Sequence, residues 1–365
     1  MAQVLTFLGK GGSGRSTVAI AAAKKLAGEG VRVLLISSDP SPAFGLMLGV
    51  TLEWDPLNIG ANLWTVQLQA TYLIEKAWEE VKQLEAKYLR SPTLKNVYGQ
   101  ELSLFPGMDT ALYLNAIREY NASGRYDVIV YDGSGDLTTL RMLGIPENAS
   151  WYFRRFRQVF RESDFGKALS PFVQPVSAAL FNVSWSFDDF AEQPTQEVTS
   201  LLEQGKAALS DPKQVLAYLV TTEQASAIAQ AQYLWGSAQQ VGLSVGGVIA
   251  NTGGNTGDLA SQFAPLTVTP LPRTTGDDWQ TLMEALPALQ NPANVPQPIS
   301  VDVSGRQVRV FLPGFDKKQV KLTQYGPEIT IEAGDQRRNI TLPHPLTGCP
   351  VKGAKFQDSY LVISV

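Results

Sequence analysis

The sequence predicts an α/β fold, a mostly parallel sheet covered by helices and carrying a helical insertion, followed by a small all-β sandwich at the C-terminal end. Three observations carry this. Short β-rich apolar runs alternate with helical stretches over residues 1–150, and the rhythm returns after residue 212. The stretch between keeps helical periodicity but has no strand-like run. Beyond a proline-rich stretch at 291–298 the pattern becomes closely spaced short strands with period-two alternation. Strand–helix–strand alternation with short links is what a parallel sheet buried on both faces needs, since parallel neighbours require a crossover that lays a helix on the sheet. A chain of 365 residues also exceeds one typical core.

In order, residues 4–8 read as a buried strand and 16–27 as an alanine-rich helix closed by Gly28 and Gly30. Residues 31–36 form the next strand, ending on Ser37, Ser38, Asp39 and Pro40. A third strand is expected at 62–68, a charged helix around 74–89, and a strand at 126–131 ending on Asp132 and Gly133. The helical, aromatic-rich insertion spans about 148–212. A strand at 215–220, a helix at 223–241, a strand at 245–250 ending on Asn251, and a short strand at 266–268 complete the first domain, set at 1–290. After the linker, residues 299–365 hold six expected strands, at 308–312, 319–323, 328–332, 338–342, 351–354 and 360–364, which fit an antiparallel sandwich.

Composition excludes several chemistries. The lone cysteine, Cys349, rules out an internal disulfide framework and any multi-cysteine metal or iron–sulfur site within one chain. The lone histidine, His344, leaves no basis for His-rich metal sites. A net charge of −4 gives no overall attraction to nucleic acid. Met1 leads straight into the first strand and no signal peptide is expected, so the chain is expected to be cytoplasmic and soluble, with at most transient membrane association. Residues 168–187 carry no charge, but Pro171, Pro175 and four serines make them a poor lone span and suit a buried or partner-facing segment.

The chemistry centres on Gly9, Lys10, Gly11, Gly12, Ser13, Gly14, Arg15, Ser16 and Thr17. Holding a phosphate requires several consecutive backbone N–H groups aimed at one anion, with glycines permitting the close approach and the following helix adding its positive N-terminal end. This stretch follows a strand and opens a helix, as the pattern G-x-x-x-x-G-K-[ST] demands. Ser16 stands where a hydroxyl ligates Mg2+. Arg15 departs from the pattern, keeping the charge of lysine in a larger planar group.

Lys10, directly after the first glycine, makes the loop resemble the deviant phosphate-loop subclass, which contains partition ATPases, the nitrogenase iron protein and the arsenite-pump and tail-anchored-protein-targeting ATPases. Further segments resemble the arsenite and targeting branch in the same order. These are Ser38-Asp39-Pro40 with Pro42-Ala43 as switch I, Phe105-Pro106-Gly107-Met108-Asp109, Tyr126 to Asp132 with Thr139-Leu140-Arg141 as switch II, and Gly246 to Asn251. The resemblance implies an ATP- and Mg2+-dependent homodimer. Lys10 would reach across to the partner's nucleotide, Asp39 would orient the attacking water, Asp132 would hold Mg2+ through water, and Asn251 would recognise adenine. Arg15 and the switch II sequence Asp132-Gly133-Ser134-Gly135-Asp136 are departures from the branch, and they weaken the expectation of fast hydrolysis. The zinc-binding C-x-x-C pair, metalloid-binding cysteines and cluster cysteines of these relatives are absent from the sequence, so neither zinc nor an iron–sulfur cluster is expected.

In the targeting branch, helices at the place of the insertion shield a client's transmembrane helix. Trp151, Phe153, Phe156, Phe160, Phe172, Phe181 and Trp185 are the candidates for such a groove, with packing of the insertion's own core as the competing reading. Arg154, Arg155, Arg157 and Arg161 would form a basic stripe beside them. Residues 298–365 resemble the α-crystallin, or small heat-shock, domain through Val310-Phe311-Leu312-Pro313-Gly314-Phe315, Glu328 to Gly334 and Tyr360 to Ile363. The implied function is a chaperone or targeting ATPase for membrane-protein segments, with a membrane receptor as a further partner. The alternatives are a nucleotide-gated binding protein with little turnover and the catalytic subunit of an anion or metalloid pump. No nucleic-acid partner is expected, and a partition-type role fits least.

Overall fold

The computed structural model describes residues 1–88, 96–162, 196–274, 278–293 and 295–365, with the side chains of 84–88, 156–162 and 196–197 outside that description. Eight strands form one sheet: β1 (Gln3–Leu8), β2 (Val33–Ser37), β3 (Leu57–Gly60), β4 (Leu63–Gln67), β5 (Val128–Asp132), β6 (Val215–Thr221), β7 (Val245–Asn251) and β8 (Val268–Leu271). Their spatial order is β3-β4-β2-β5-β1-β6-β7-β8. Every pairing is parallel except β3 with β4. The edge strand β3 was not foreseen. Its sequence, Leu-Asn-Ile-Gly, lacks a continuous apolar run because only one side of an edge strand pairs and its residues are half-exposed.

Ten α-helices are described: α1 (Arg15–Gly28), α2 (Ala43–Leu48), α3 (Ala70–Tyr88), α4 (Met108–Ala122), α5 (Leu137–Leu143), α6 (Ile145–Glu162), α7 (Gln196–Ser210), α8 (Ala225–Gln240), α9 (Leu259–Gln262) and α10 (Trp279–Ala285). Central strands show why both faces must be covered. Leu5, Phe7, Val33, Leu35, Val128 and Val130 meet α1 on one face, while Val4, Leu8, Leu34, Ile36, Ile129 and Tyr131 meet α4, α5 and α8 on the other. Alternate residues pointing to opposite layers turn each central strand into a continuous apolar run. The alanines Ala19, Ala21, Ala22 and Ala23 let α1 lie close on the sheet. Lys25 closes the same layer by donating to the carbonyl oxygens of Met283, at 3.0 Å, and Leu286, at 2.6 Å, acceptors at the end of α10 that the helix itself leaves unpaired. Helix α4 was also unforeseen, because its apolar residues do not form a clean stripe.

The described parts of the insertion are helical. Phe153 of α6 packs with Val198 and Leu202 of α7. Phe172, Phe181 and Trp185, the side chains of Phe156 and Phe160, and the apolar segment 168–187 lie outside the described residues. Among the described residues no helix is long and apolar enough to cross a membrane.

The C-terminal strands form two antiparallel sheets. One has the order β14 (Gly353–Gln357), β15 (Tyr360–Ser364), β10 (Gln307–Phe311), β9 (Ile299–Asp302), and the other β11 (Val320–Tyr325), β12 (Glu328–Ala333), β13 (Gln336–Thr341). Strand β9 adds a seventh strand to the six expected, directly after the proline-rich stretch. Val308, Val310, Leu312, Ile329, Ile331, Ile340, Leu361 and Ile363 fill the space between the sheets.

This sandwich is packed onto the larger domain. Phe311 belongs to the larger domain's core, with its ring 5.5 Å from that of Trp235 on α8 and 4.8 Å from that of Tyr360. The turn Pro313-Gly314-Phe315 sits in a notch on α8 at Gly236, where any Cβ would overlap the Pro313 carbonyl oxygen and come within 2.7 Å of the Phe315 ring. Polar contacts surround this seam. Arg338 donates to the Gln239 carbonyl oxygen at 3.0 Å, Trp151 Nε1 and Arg154 of α6 donate to the Glu328 carboxylate at 3.1 and 2.9 Å, and Arg141 of α5 pairs with Asp335.

Gly236→Ala gives a signed test of the notch. On an open helix face the change stabilises by roughly 1 kcal/mol through helix propensity. Against the Pro313–Phe315 turn, overpacking should instead cost about 1–3 kcal/mol. Urea unfolding should therefore show a lowered midpoint.

Candidate nucleotide site

The site lies along the carboxyl edge of the sheet, where parallel strands leave a crevice. Strand β1 ends in the loop of Gly9 to Gly14, and α1 begins at Arg15. Asp132 ends β5, Ser37 ends β2 and Asn251 ends β7, so residues distant in sequence meet at one edge because their strands are neighbours or nearly so. Gly14 holds a left-handed conformation, φ 95°, as it turns into the helix. The Asn251 amide nitrogen lies 3.0 Å from the Cβ position of Gly14, so Asn251 packs on the loop itself. Lys10, Gly11 and Gly12 are exposed, Ser13 is buried, and Gly14, Arg15, Ser16 and Thr17 are half-buried.

Several polar atoms here lack protein partners. The Ser13 hydroxyl and Nη1 of Arg15 are both buried and unpaired. At a loop shaped for an anion, such donors suit a phosphate oxygen as their acceptor. Burial lowers the pKa of the Arg15 guanidinium, an effect opposed by the charges of Asp132 and Asp136.

Asp132 is buried, and desolvation pushes its carboxyl up to about 6, although the Ser16 hydroxyl and Arg15 act in the opposite direction and Asp39 adds to the rise. A hydroxyl and a carboxylate side by side are a hard-oxygen donor set, which suits Mg2+ with water in its remaining positions. A phosphate and a divalent cation thus fit the residues present: the loop N–H groups and Arg15 would hold the anion, and Ser16, with Asp132 through water, would hold the cation.

Two switch segments frame this centre. In the first, Ser38 N–H donates to the Asp132 carbonyl oxygen at 3.1 Å. The Asp39 carboxylate is exposed and accepts from Ser41 N–H at 2.9 Å. Gln67, at the end of β4, donates to the carbonyl oxygens of both Asp39 and Ser41, at 2.8 and 2.9 Å, tying the segment to the sheet. In the second, Gly9 N–H donates to the Gly135 carbonyl oxygen at 2.9 Å, and Gly135 N–H donates to the Thr139 hydroxyl at 2.9 Å. Asp136 caps α5 by accepting from Thr138 N–H at 2.8 Å and from the Ser134 hydroxyl at 2.7 Å. Burial opposes its ionisation, but these hydrogen bonds and the Arg15 charge hold its carboxyl below the ordinary value.

The structure therefore brings together Arg15, Ser16, Asp39, Asp132 and Asn251. The insertion candidates stand apart: Trp151 bonds to Glu328 of the sandwich, and Phe153 packs on α7. Gly135, Asp136 and Thr139 were read as part of switch II without a role of their own, and Gln67 was missed. An Asp one residue before an apolar run is a helix-cap signal that could have placed Asp136, whereas no local pattern points to Gln67.

A mostly parallel sheet with a glycine-rich loop after its central strand and an acidic residue at the end of the adjacent strand defines a P-loop nucleotide-binding protein. A family model described as "Anion-transporting ATPase" matches residues 2–254, and the chain belongs to that family. A second, described as "HSP20-like domain found in ArsA", matches residues 304–365. The chain is 25% identical to a putative arsenical pump-driving ATPase of Chlorobaculum tepidum, over 99% of this chain and 95% of the relative. It is 26% identical to an uncharacterised Streptomyces coelicolor protein over 99% of this chain and 96% of the relative. It is 30% identical to the ATPase GET3 of Malassezia globosa over 47% of this chain and 49% of the relative.

The Asp132 shift carries a pH signature. Its carboxyl binds a proton more tightly in the folded chain than at its ordinary value of 3.8, so the folded protein gains from this group at low pH and loses that gain as pH rises towards about 6. Ligand-free Asp132→Asn should lack this step. Urea midpoints of both proteins, followed from roughly pH 4 to pH 7, would show it.

Proposed function

We propose that the protein is a homodimeric ATPase that binds Mg-ATP at the phosphate loop, hydrolyses it slowly, and shields hydrophobic transmembrane segments of client proteins in the cytoplasm, delivering them to a membrane receptor. The observation that carries the nucleotide half is the pair of buried unpaired groups, Ser13 Oγ and Arg15 Nη1, beside the Ser16–Asp132 oxygen pair. ATP supplies the phosphoryl group, and Mg2+ supplies the charge that stabilises its transfer. The chain's own residues do the remaining work. The loop N–H groups and Arg15 would hold the phosphates, Ser16 directly and Asp132 through water would hold the cation, and Asn251, packed against Gly14, would recognise adenine.

Asp39 is the water-orienting group, and its position supports the role. It is exposed, its backbone is fixed by Gln67, and its carboxylate lies close enough to Asp132 to act on that group's charge. Lys10 is exposed, as a residue that meets a partner's nucleotide across a two-fold interface must be. The client half rests on the family resemblance and on the insertion's aromatic content.

A second reading is the ATPase subunit of an arsenite or other anion pump, favoured by the name of the Chlorobaculum tepidum relative. A single cysteine gives one chain no cluster of thiolates for a soft metalloid. Arsenite-stimulated ATP turnover would select this reading over the first.

Steady-state ATP hydrolysis tests the nucleotide half. Asp39→Asn should lower turnover by about a hundredfold while nucleotide affinity stays near that of the native protein. An unchanged rate would remove Asp39 from the reaction. For the client half, a photo-crosslinking apolar helix should label the protein in a nucleotide-dependent way. No labelling, or labelling indifferent to nucleotide, would reject shielding.

A further inference from the structure

Two departures from the branch pattern, Arg15 in the loop and Gly135 in switch II, lie far apart in sequence but touch in the structure. A Cβ built on Gly135 would overlap Nη1 of Arg15 and stand 2.8 Å from its Cδ. The guanidinium therefore lies on the bare backbone of switch II. That backbone is fixed at both ends of the residue, since Gly135 accepts from Gly9 N–H and donates to the Thr139 hydroxyl. Gly135 also adopts φ 61°, in the left-handed region that favours glycine. The charges of Asp132 and, less strongly, Asp136 act on the guanidinium against the effect of its burial, yet its Nη1 has no hydrogen-bond partner.

Size explains the arrangement. A guanidinium is a wide planar fork, while the lysine of the usual pattern ends in a compact ammonium. Had the loop accepted arginine without any change opposite, the fork would have had to enter the phosphate space or displace switch II. Instead the residue opposite has no side chain. Asp136 then contributes charge without a direct bond to Nη1: it is the N-cap of α5, and its Oδ1 accepts from both Thr138 N–H and the Ser134 hydroxyl. Together with the larger field of Asp132 it acts on the cation without taking up Nη1, which is enclosed against Gly135, so an incoming phosphate has to draw the guanidinium off the switch.

We propose that Arg15 and Gly135 are a matched pair, in which the missing side chain at 135 admits an arginine to the lysine position, and that Asp136 is a positioning residue whose charge holds the guanidinium over switch II in competition with phosphate. The role of Asp136 rests on the nucleotide reading above, whereas the pairing of Arg15 with Gly135 does not. Nucleotide binding would then be sensed at the start of α5, because the phosphate and the helix cap draw on the same cation.

Six full-length proteins test this: native, Arg15→Lys, Gly135→Ala, Asp136→Asn, and the two double variants containing Arg15→Lys. Asparagine keeps the cap while removing the charge. The first measurement is urea unfolding without nucleotide. A side chain at 135 also meets the Phe7 carbonyl oxygen at 2.6 Å, so Gly135→Ala should be destabilising in either background. Its cost should nevertheless be clearly larger beside the native Arg15 than in the Arg15→Lys background. Equal costs would overturn the pairing. If Gly135→Ala alone does not fold while the double variant with Arg15→Lys does, the pairing is supported, and failure of both overturns it.

The second measurement is equilibrium titration with Mg-ADP. Asp136→Asn should tighten binding about threefold or more beside Arg15, because phosphate no longer competes with the carboxylate for one cation. In the Arg15→Lys background the same change should alter affinity by less than about twofold. Equal effects in both backgrounds, or weaker binding by Asp136→Asn beside Arg15, would overturn the positioning role. If native protein and Arg15→Lys both fail to bind Mg-ADP, the nucleotide reading falls and the role of Asp136 falls with it. The unfolding comparison still decides the pairing in that case.

Discussion

The hydrogen bond from Gly9 N–H to the Gly135 carbonyl oxygen joins the first residue of the phosphate loop to the second switch. Strands β1 and β5 are direct neighbours, so both segments leave the sheet side by side and this bond closes the gap between them. Much of the site follows from it. Arg15 is confined between the loop and switch II, Asp132 is enclosed by the same contact, and desolvation of that pocket displaces both groups from their ordinary ionisation in opposite directions. The central strands, apolar on both faces, provide the rigid base that holds these backbones in register.

The site's chemistry is arranged around charges taken out of water and left incompletely matched. A buried carboxylate with a raised pKa beside a half-buried cation with an unpaired donor is costly for an empty protein. Such a cost is retained where ligand completes the set. The flanking segments are tied differently: switch I is fixed through its backbone carbonyls by Gln67, leaving the Asp39 carboxylate exposed, while switch II is fixed through backbone and cap.

The sequence was most legible where chemistry demands consecutive residues. A phosphate needs adjacent N–H groups, so Gly9 to Ser16 could be read directly, and buried parallel strands are local apolar runs, so most of the sheet could be read as well. What could not be read depends on tertiary neighbours. Gly135 looked like one more glycine of a divergent switch, and its left-handed backbone and its approach to Arg15 and the Phe7 carbonyl oxygen are visible only in three dimensions. Gln67 lies at the end of an ordinary strand, and its function is visible only because β4 adjoins β2. Edge strand β3 and strand β9 escaped notice because a half-exposed edge imposes little on side-chain pattern. Gly236 has the same character: inside a helix it is unfavourable by itself, and the reason for it comes from Pro313 and Phe315 in another domain.

The seating of Phe311 in the larger domain's core bears on how the chain can be divided. The sandwich has its own apolar interior, yet its first long strand ends on a ring that packs against Trp235, in a layer shared with Phe263. A fragment cut at the proline-rich stretch would carry an unhealed apolar wound on α8, beside a notch shaped for a turn it no longer has. Dissection of this protein therefore calls for solubilising replacements at the seam, and any behaviour of a bare N-terminal fragment would report on that wound as much as on the nucleotide site.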